Sequence, residues 1–196
     1  MYSQDEVVEQ MLIEALAAVD GLLDAWAAEL QGLRERGAFR PTGVRGAYRN
    51  LLPAALLREA AASVYAESAH RIGLLDLDRS LPVGELARLK ERVEGWTAED
   101  RSASDVIASF GEPSIWTGSR NPLHSRNISY AADQASAGFV CFHLWNTPDE
   151  NRPEPVLLAV RNRSGPFSEA FSFTPEGMRQ KNALVAPTVP SPGKVS

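Results

Sequence analysis

The sequence predicts an α+β fold: an N-terminal three-helix region packed on a C-terminal antiparallel β-meander of four or five strands. Apolar residues recur at spacings of three and four up to about residue 97. Five short runs rich in β-branched and aromatic residues follow, separated by Gly, Pro, Asn and Asp. The third run, GFVCFHLW, is apolar on both faces, so the sheet that holds it must be covered on both sides. Residues 1–97 (helices) and 98–184 (a short helix plus the sheet) therefore read as one cooperative unit, followed by a disordered tail over 185–196.

Ser3 and Glu6 fit a capping box. Beyond them Val8, Leu12, Ala15, Val19, Leu22, Trp26, Leu30 and Leu33 share one stripe, which predicts a single long helix over 5–36, ended by Gly37. At 1.5 Å per residue it would run roughly 45 Å. Its stripe calls for cover from the later helices or from a second copy in a homodimer, and the helix bearing Trp26 is the expected cover of the sheet. Residues 37–50, GAFRPTGVRGAYRN, read as a loop. Pro53 opens a helix to Ile72, with Leu56, Leu57, Ala60 and Val64 inward and Gly73 as its stop. Ser80 and Pro82 open another, carrying Leu86, Leu89, Val93 and Trp96. Short connections make the three an antiparallel bundle.

Ser102 or Ser104 caps a short helix that closes at Phe110 and Gly111, and Pro113 turns the chain extended. PSIWT, RNISYA, GFVCFHLW, PVLLAVR and EAFSFT are the strands. Thr174-Pro175-Glu176 is a helix cap, and APTVPSPGKVS is too rich in proline to pack. Over about residues 102–146, a short helix ending in DVIASFGEPS, a strand, a Tyr-bearing strand and a strand of alternating bulky residues follow one another. This order resembles the helix-plus-meander module of the β-lactamase-inhibitor-protein and outer-membrane assembly lipoprotein type. The resemblance implies a surface that binds another protein and no catalysis; the three-helix front is not part of that pattern.

With 44% apolar and 23% charged residues, a chain of 196 residues can bury a core without staples. Its one cysteine forms no internal disulfide and no CxxC or cysteine metal cluster. MYSQDEVVEQ lacks the basic and apolar regions of a signal peptide, and no apolar run reaches membrane-spanning length. A cytoplasmic location away from membranes is expected. The net charge of -5 divides into -6 over residues 1–110 (12 basic, 18 acidic) and +1 over 111–196 (8 basic, 7 acidic), which argues against nucleic acid by bulk electrostatics. No phosphate loop, dinucleotide fingerprint, HExxH, nucleophile elbow or metal-spaced cluster occurs, so neither cofactor nor metal is expected.

Cys141 and His143 share a strand face with Phe139 and Trp145. Same-face neighbours on one strand stand about 7 Å apart, too far for a direct thiol–imidazole contact. An apolar strand interior predicts a structural cysteine. His143 needs partners for its nitrogens, either as a core histidine or at a pocket on the sheet face. Between the first two strands GSRNPLHSR crowds Arg120, His124 and Arg126 with no acid. With Trp116 and Tyr130 flanking it, the loop predicts the edge of a binding surface for an anion or a partner. In residues 37–50, Phe39 and Tyr48 alternate with Arg40, Arg45 and Arg49, a mixture suited to single-stranded nucleic acid, although the acidic bundle offers those arginines ion pairs.

Composition, absent motifs and the module resemblance point first to a non-catalytic cytoplasmic protein-binding module of the inhibitor or immunity kind. One alternative is a small-molecule- or anion-binding enzyme with its pocket at the helix–sheet junction, using His143, His124 and Arg120. Another is a nucleic-acid accessory protein acting through residues 37–50.

Overall fold

The computed structural model describes residues 4–119, 121, 124, 126–146 and 152–185. The fold is α+β, with one five-stranded antiparallel sheet whose spatial order follows the chain. Five α-helices precede residue 97, where the sequence predicted three: α1 (Gln4–Val19), α2 (Leu23–Glu35), α3 (Val44–Tyr48), α4 (Leu57–Arg71) and α5 (Val83–Trp96). The single helix expected over 5–36 breaks at Asp20-Gly21. Gly21 sits at φ +70°, with Leu22 N–H donating to Ala17 O (2.7 Å) and Gly21 N–H to Ala18 O (3.4 Å), the paired bonds that close a helix on a left-handed glycine. The same pair of bonds closes α2 at Gly37 and α4 at Gly73, the two stops read from the sequence. The loop expected over 37–50 contains α3, and Pro53 leads into a 3-10 turn, Ala54–Leu56, that feeds α4.

The short helix α6 (Ala103–Phe110) begins on a reciprocal Ser102–Asp105 capping box and ends at Gly111, φ +75°. The five predicted strands follow: β1 (Ile115–Gly118), β2 (Arg126–Ala131), β3 (Phe139–Trp145), β4 (Val156–Arg161) and β5 (Phe171–Phe173). Helix α7 (Pro175–Val185) is capped as read, Thr174 Oγ1 accepting from Gly177 N–H at 3.1 Å. Of the tail assigned above to 185–196, Val185 is the last residue of α7, and residues 186–196 lie outside the described residues. Among the described residues no helix is long and apolar enough to cross a membrane.

Both sheet faces are covered. Val140, Phe142 and Leu144 of β3 pack on Leu86, Leu89 and Val93 of α5 and Val106 of α6. On the other face Trp145 and Ala159 join Leu56, Ala60 and Val64, while Cys141 and Phe139 meet Ala66. The layer against this second face is α4, not the Trp26 helix. Ala60, Ala61, Ser63, Val64, Tyr65, Glu67, Ser68 and Ala69 bury α4 on opposite sides, so it lies between the sheet and α1 and α2. Trp26 packs on α4 through Tyr65, ring centroids 6.4 Å apart.

The continuous apolar run of β4 is explained by a bulge. His143 pairs with Ala159 but Leu144 with Leu157, leaving Leu158 extra. The shift sends Leu157 to the α5/α6 core and Leu158 to the α4 core. Leu158 O then accepts from Thr174 N–H at 3.1 Å, and a Cβ on Gly177 would collide with that carbonyl, so the start of α7 is seated on the bulge.

Candidate functional site

Of the residues assigned to a binding edge, Trp116, Arg126 and Tyr130 share one side of the sheet and His143 lies on the other. Trp116, Arg126 and Tyr130 belong to the α5/α6 side of the sheet, since Trp116 pairs with Ile128 and alternation puts residues 126, 128 and 130 on one face. Arg126 is buried, its guanidinium 5.1 Å from the Trp116 ring centroid. Tyr130 is buried and donates to Gly111 O at 2.7 Å, tying β2 to the end of α6; burial raises its hydroxyl pKa. Trp116 is half-buried beside a cleft of 510 Å³ shared with Asp78, Arg79 and Glu112. His124 is exposed, and Arg120 lies outside the described residues. His143 is on the opposite face of the sheet from Trp116, Arg126 and Tyr130.

On the α4 face a polar row is sealed under the helix. Ser129, Cys141 and Arg161 lie side by side on β2, β3 and β4. Cys141 Sγ accepts from Ser129 Oγ (3.2 Å) and from Arg161 Nη2 (3.1 Å). Arg161 also pairs with Glu67, Glu67 with Arg71, and Arg71 with Glu29 at 3.1 Å. Burial pushes the Cys141 thiol up against the pull of Arg161. For Glu67 burial is outweighed: Arg161 and Arg71 hold its carboxyl below the usual range. His143 Nδ1 pairs with Asn127 Oδ1 at 2.8 Å across the β2–β3 ladder, and its edge meets the Tyr48 ring at 5.4 Å between centroids. Burial, then Arg161, pushes its pKa down to about 3. A protonated, fully buried thiol and a neutral, fully buried imidazole make this row core architecture. Among the described residues no group of three His, Cys, Asp or Glu side chains could hold a metal ion.

The feature that sequence reasoning missed is on α1. The stripe assigned to the core points outward: Val8, Leu12, Ala15 and Val19 are exposed. Val19 is 82%, Met11 63% and Leu12 60% exposed, and Val7, Leu16 and Leu23 are exposed too. What α1 turns inward is Glu6, Gln10, Ile13 and Ala17. The Glu6 carboxylate accepts from Val44 N–H (2.5 Å), Arg45 N–H (3.4 Å) and Tyr65 O–H (2.7 Å), and Gln10 Nε2 donates to the same tyrosine oxygen at 2.8 Å. A buried carboxylate that binds the start of α3 and the middle of α4 fixes the rotation of α1. Gly43, φ +83°, is required there, because a Cβ would collide with that carboxylate.

Beside this face, α1 and α4 enclose an open groove of 290 Å³, lined on the α1 side by Leu12, Ile13 and Leu16. Residues 1–33 hold seven acids (Asp5, Glu6, Glu9, Glu14, Asp20, Asp24 and Glu29) and no Lys or Arg. The signals available in the sequence were this charge bias and the apolar residues Val7, Met11 and Leu16 lying off the predicted stripe. No family model, no curated protein and no solved structure matches the chain.

Proposed function

We propose that this chain is a non-catalytic protein-binding module, of the inhibitor or immunity kind, that docks through the outer face of α1 and the groove between α1 and α4. The carrying observation is a helix with its polar anchor inside and its large apolar side chains outside. Contiguous apolar surface of this kind marks an interaction site in a folded protein, because leaving it in water costs roughly 25 cal/mol per Å². The order α6, β1, β2, β3 over residues 102–146 resembles that of the inhibitor-type module, which supports the reading.

Other observations weigh against the alternatives. His143 is fully buried, away from solvent and substrate. Tyr48 is fully buried as well, in edge contacts with Phe167 and Phe171, so residues 37–50 do not offer it as a base-stacking platform.

A photo-crosslinking residue placed at Leu12 or Val19, with the exposed Arg88 of α5 as the control position, tests the assignment in the source cells. Positions 12 and 19 should each give one discrete heavier species, lost in Met11→Ser/Leu16→Ser, and position 88 should give none. No species from α1, or equal labelling from position 88, overturns it.

A further inference from the structure

Resting on the docking reading above, we infer that the occupant of the α1 face is a basic amphipathic helix of another protein. The groove takes Leu12 and Leu16 from successive turns of α1, and Ala62, Ala66 and Ala69 from one face of α4. Three alanines at spacings of four and three leave a strip about 10 Å long where side chains of an incoming helix can seat. Ile115 of β1 also lines the groove. An apolar helix face pressed here meets leucine and alanine, the surface that helix-in-groove recognition uses.

Charge selects among the possible occupants. Asp5, Glu14, Asp20 and Asp24 are exposed around the apolar face, and Glu9 lines the groove. Arg58 pairs with Asp5 at 4.0 Å, while residues 1–33 carry seven acids and no Lys or Arg, so the negative charge of this face is only partly offset within the chain. Lysine or arginine flanking the incoming apolar stripe would offset it. A second copy of α1 brings only acids: in an antiparallel pairing about the helix centre, Glu9 faces the partner helix's Glu14. An anionic membrane surface repels the same rim.

The test uses the full chain and labelled peptides of about 18 residues, long enough to cover the groove. One peptide has a leucine–alanine face flanked by lysine and arginine, one has the same face flanked by glutamate, and one is a scramble of the basic peptide. The basic amphipathic peptide should bind saturably and one to one, about tenfold or more tighter than either control, and weaken as salt rises from about 0.05 to about 0.3 M. Leu12→Ser/Leu16→Ser and Glu9→Gln/Glu14→Gln/Asp20→Asn should each weaken it about tenfold with the circular dichroism spectrum unchanged. Equal binding of the glutamate-flanked peptide or of the scramble overturns the inference. So does sedimentation of the chain as a dimer that Leu12→Ser dissociates, or cosedimentation with phosphatidylserine vesicles without peptide binding. If α1 crosslinks a partner in cells but shows no preference for the basic peptide, the partner chemistry falls and the docking face stands. If the peptide binds and no crosslink forms, the docking role falls.

Discussion

The imidazole of His143 and the carboxylate of Glu67 lie on one face of the sheet but answer to different forces. His143 is fully buried, and Arg161 adds to the penalty on its protonation, so folding holds its pKa at about 3 against an ordinary 6.5. Its contribution to stability is complete above pH 6.5, where both states are neutral, and is lost as the pH falls from 6.5 towards 3 because only the unfolded chain takes the proton. The expected slope from this residue is about 1.4 kcal/mol per pH unit in that window. Glu67, held below 4.5 by two arginines, adds a second loss that begins only below pH 4.5. The difference in urea-unfolding stability between the wild type and a His143 variant over pH 7 to pH 5 isolates the histidine, because Glu9, whose carboxyl is pushed up, titrates alike in both. His143→Asn, whose amide nitrogen stands at the Nδ1 position and keeps a donor for Asn127 without a group that titrates there, should flatten the decline; an unchanged slope would mean that His143 is protonated without penalty in the folded state.

Gly21, Gly37 and Gly73 mark helix ends, and a boundary glycine and an interior one give opposite predictions. Gly21 sits at φ +70° with nothing within 4 Å of a prospective Cβ, so Gly21→Ala is penalised by backbone conformation alone, by about 1–2 kcal/mol. Gly32, inside α2, has equally open space and helical geometry, so Gly32→Ala should stabilise by roughly 0.5–1 kcal/mol. Chemical denaturation of the two variants checks both signs. Gly21 also shows why the long helix was misread: apolar spacing continues through Asp20-Gly21 as though the helix did, and periodicity does not register a closing turn. The strands were legible, all five runs forming in place, because alternation and turn residues are local signals. The β4 bulge was not, because it is decided by where the carbonyl of Leu158 meets Thr174. The face of α1 was illegible for a related reason. A single carboxylate, Glu6, outweighs a row of hydrophobes by meeting backbone donors 38 residues away, and no local pattern encodes such a contact.

Across the whole molecule the sheet is shared by two cores. One joins Trp26 and Leu33 of α2, Tyr48 of α3 and Leu56 ahead of α4 to Trp145, Ala159 and Phe171 of the sheet; the other joins α5 and α6 to β2, β3 and β4. Neither helical layer retains its buried partner once the sheet comes apart. The sheet in turn loses the cover that keeps Cys141, His143 and Phe142 from water. The Glu29–Arg71–Glu67–Arg161 chain adds an ionic crosslink from α2 through α4 to β4, and removing one partner of its buried Arg161–Glu67 link strands a buried charge at a cost of about 3–5 kcal/mol. The expected outcome is a single unfolding transition. Tryptophans sit in α2 (Trp26), α5 (Trp96), β1 (Trp116) and β3 (Trp145), so indole fluorescence samples both layers and the sheet, while far-ultraviolet circular dichroism is weighted to the helices. Coincident urea curves by the two probes would establish one body. If helicity outlasts the fluorescence change, or the reverse, then α1–α4 and the sheet unfold separately and the ionic chain is not a mechanical link between them.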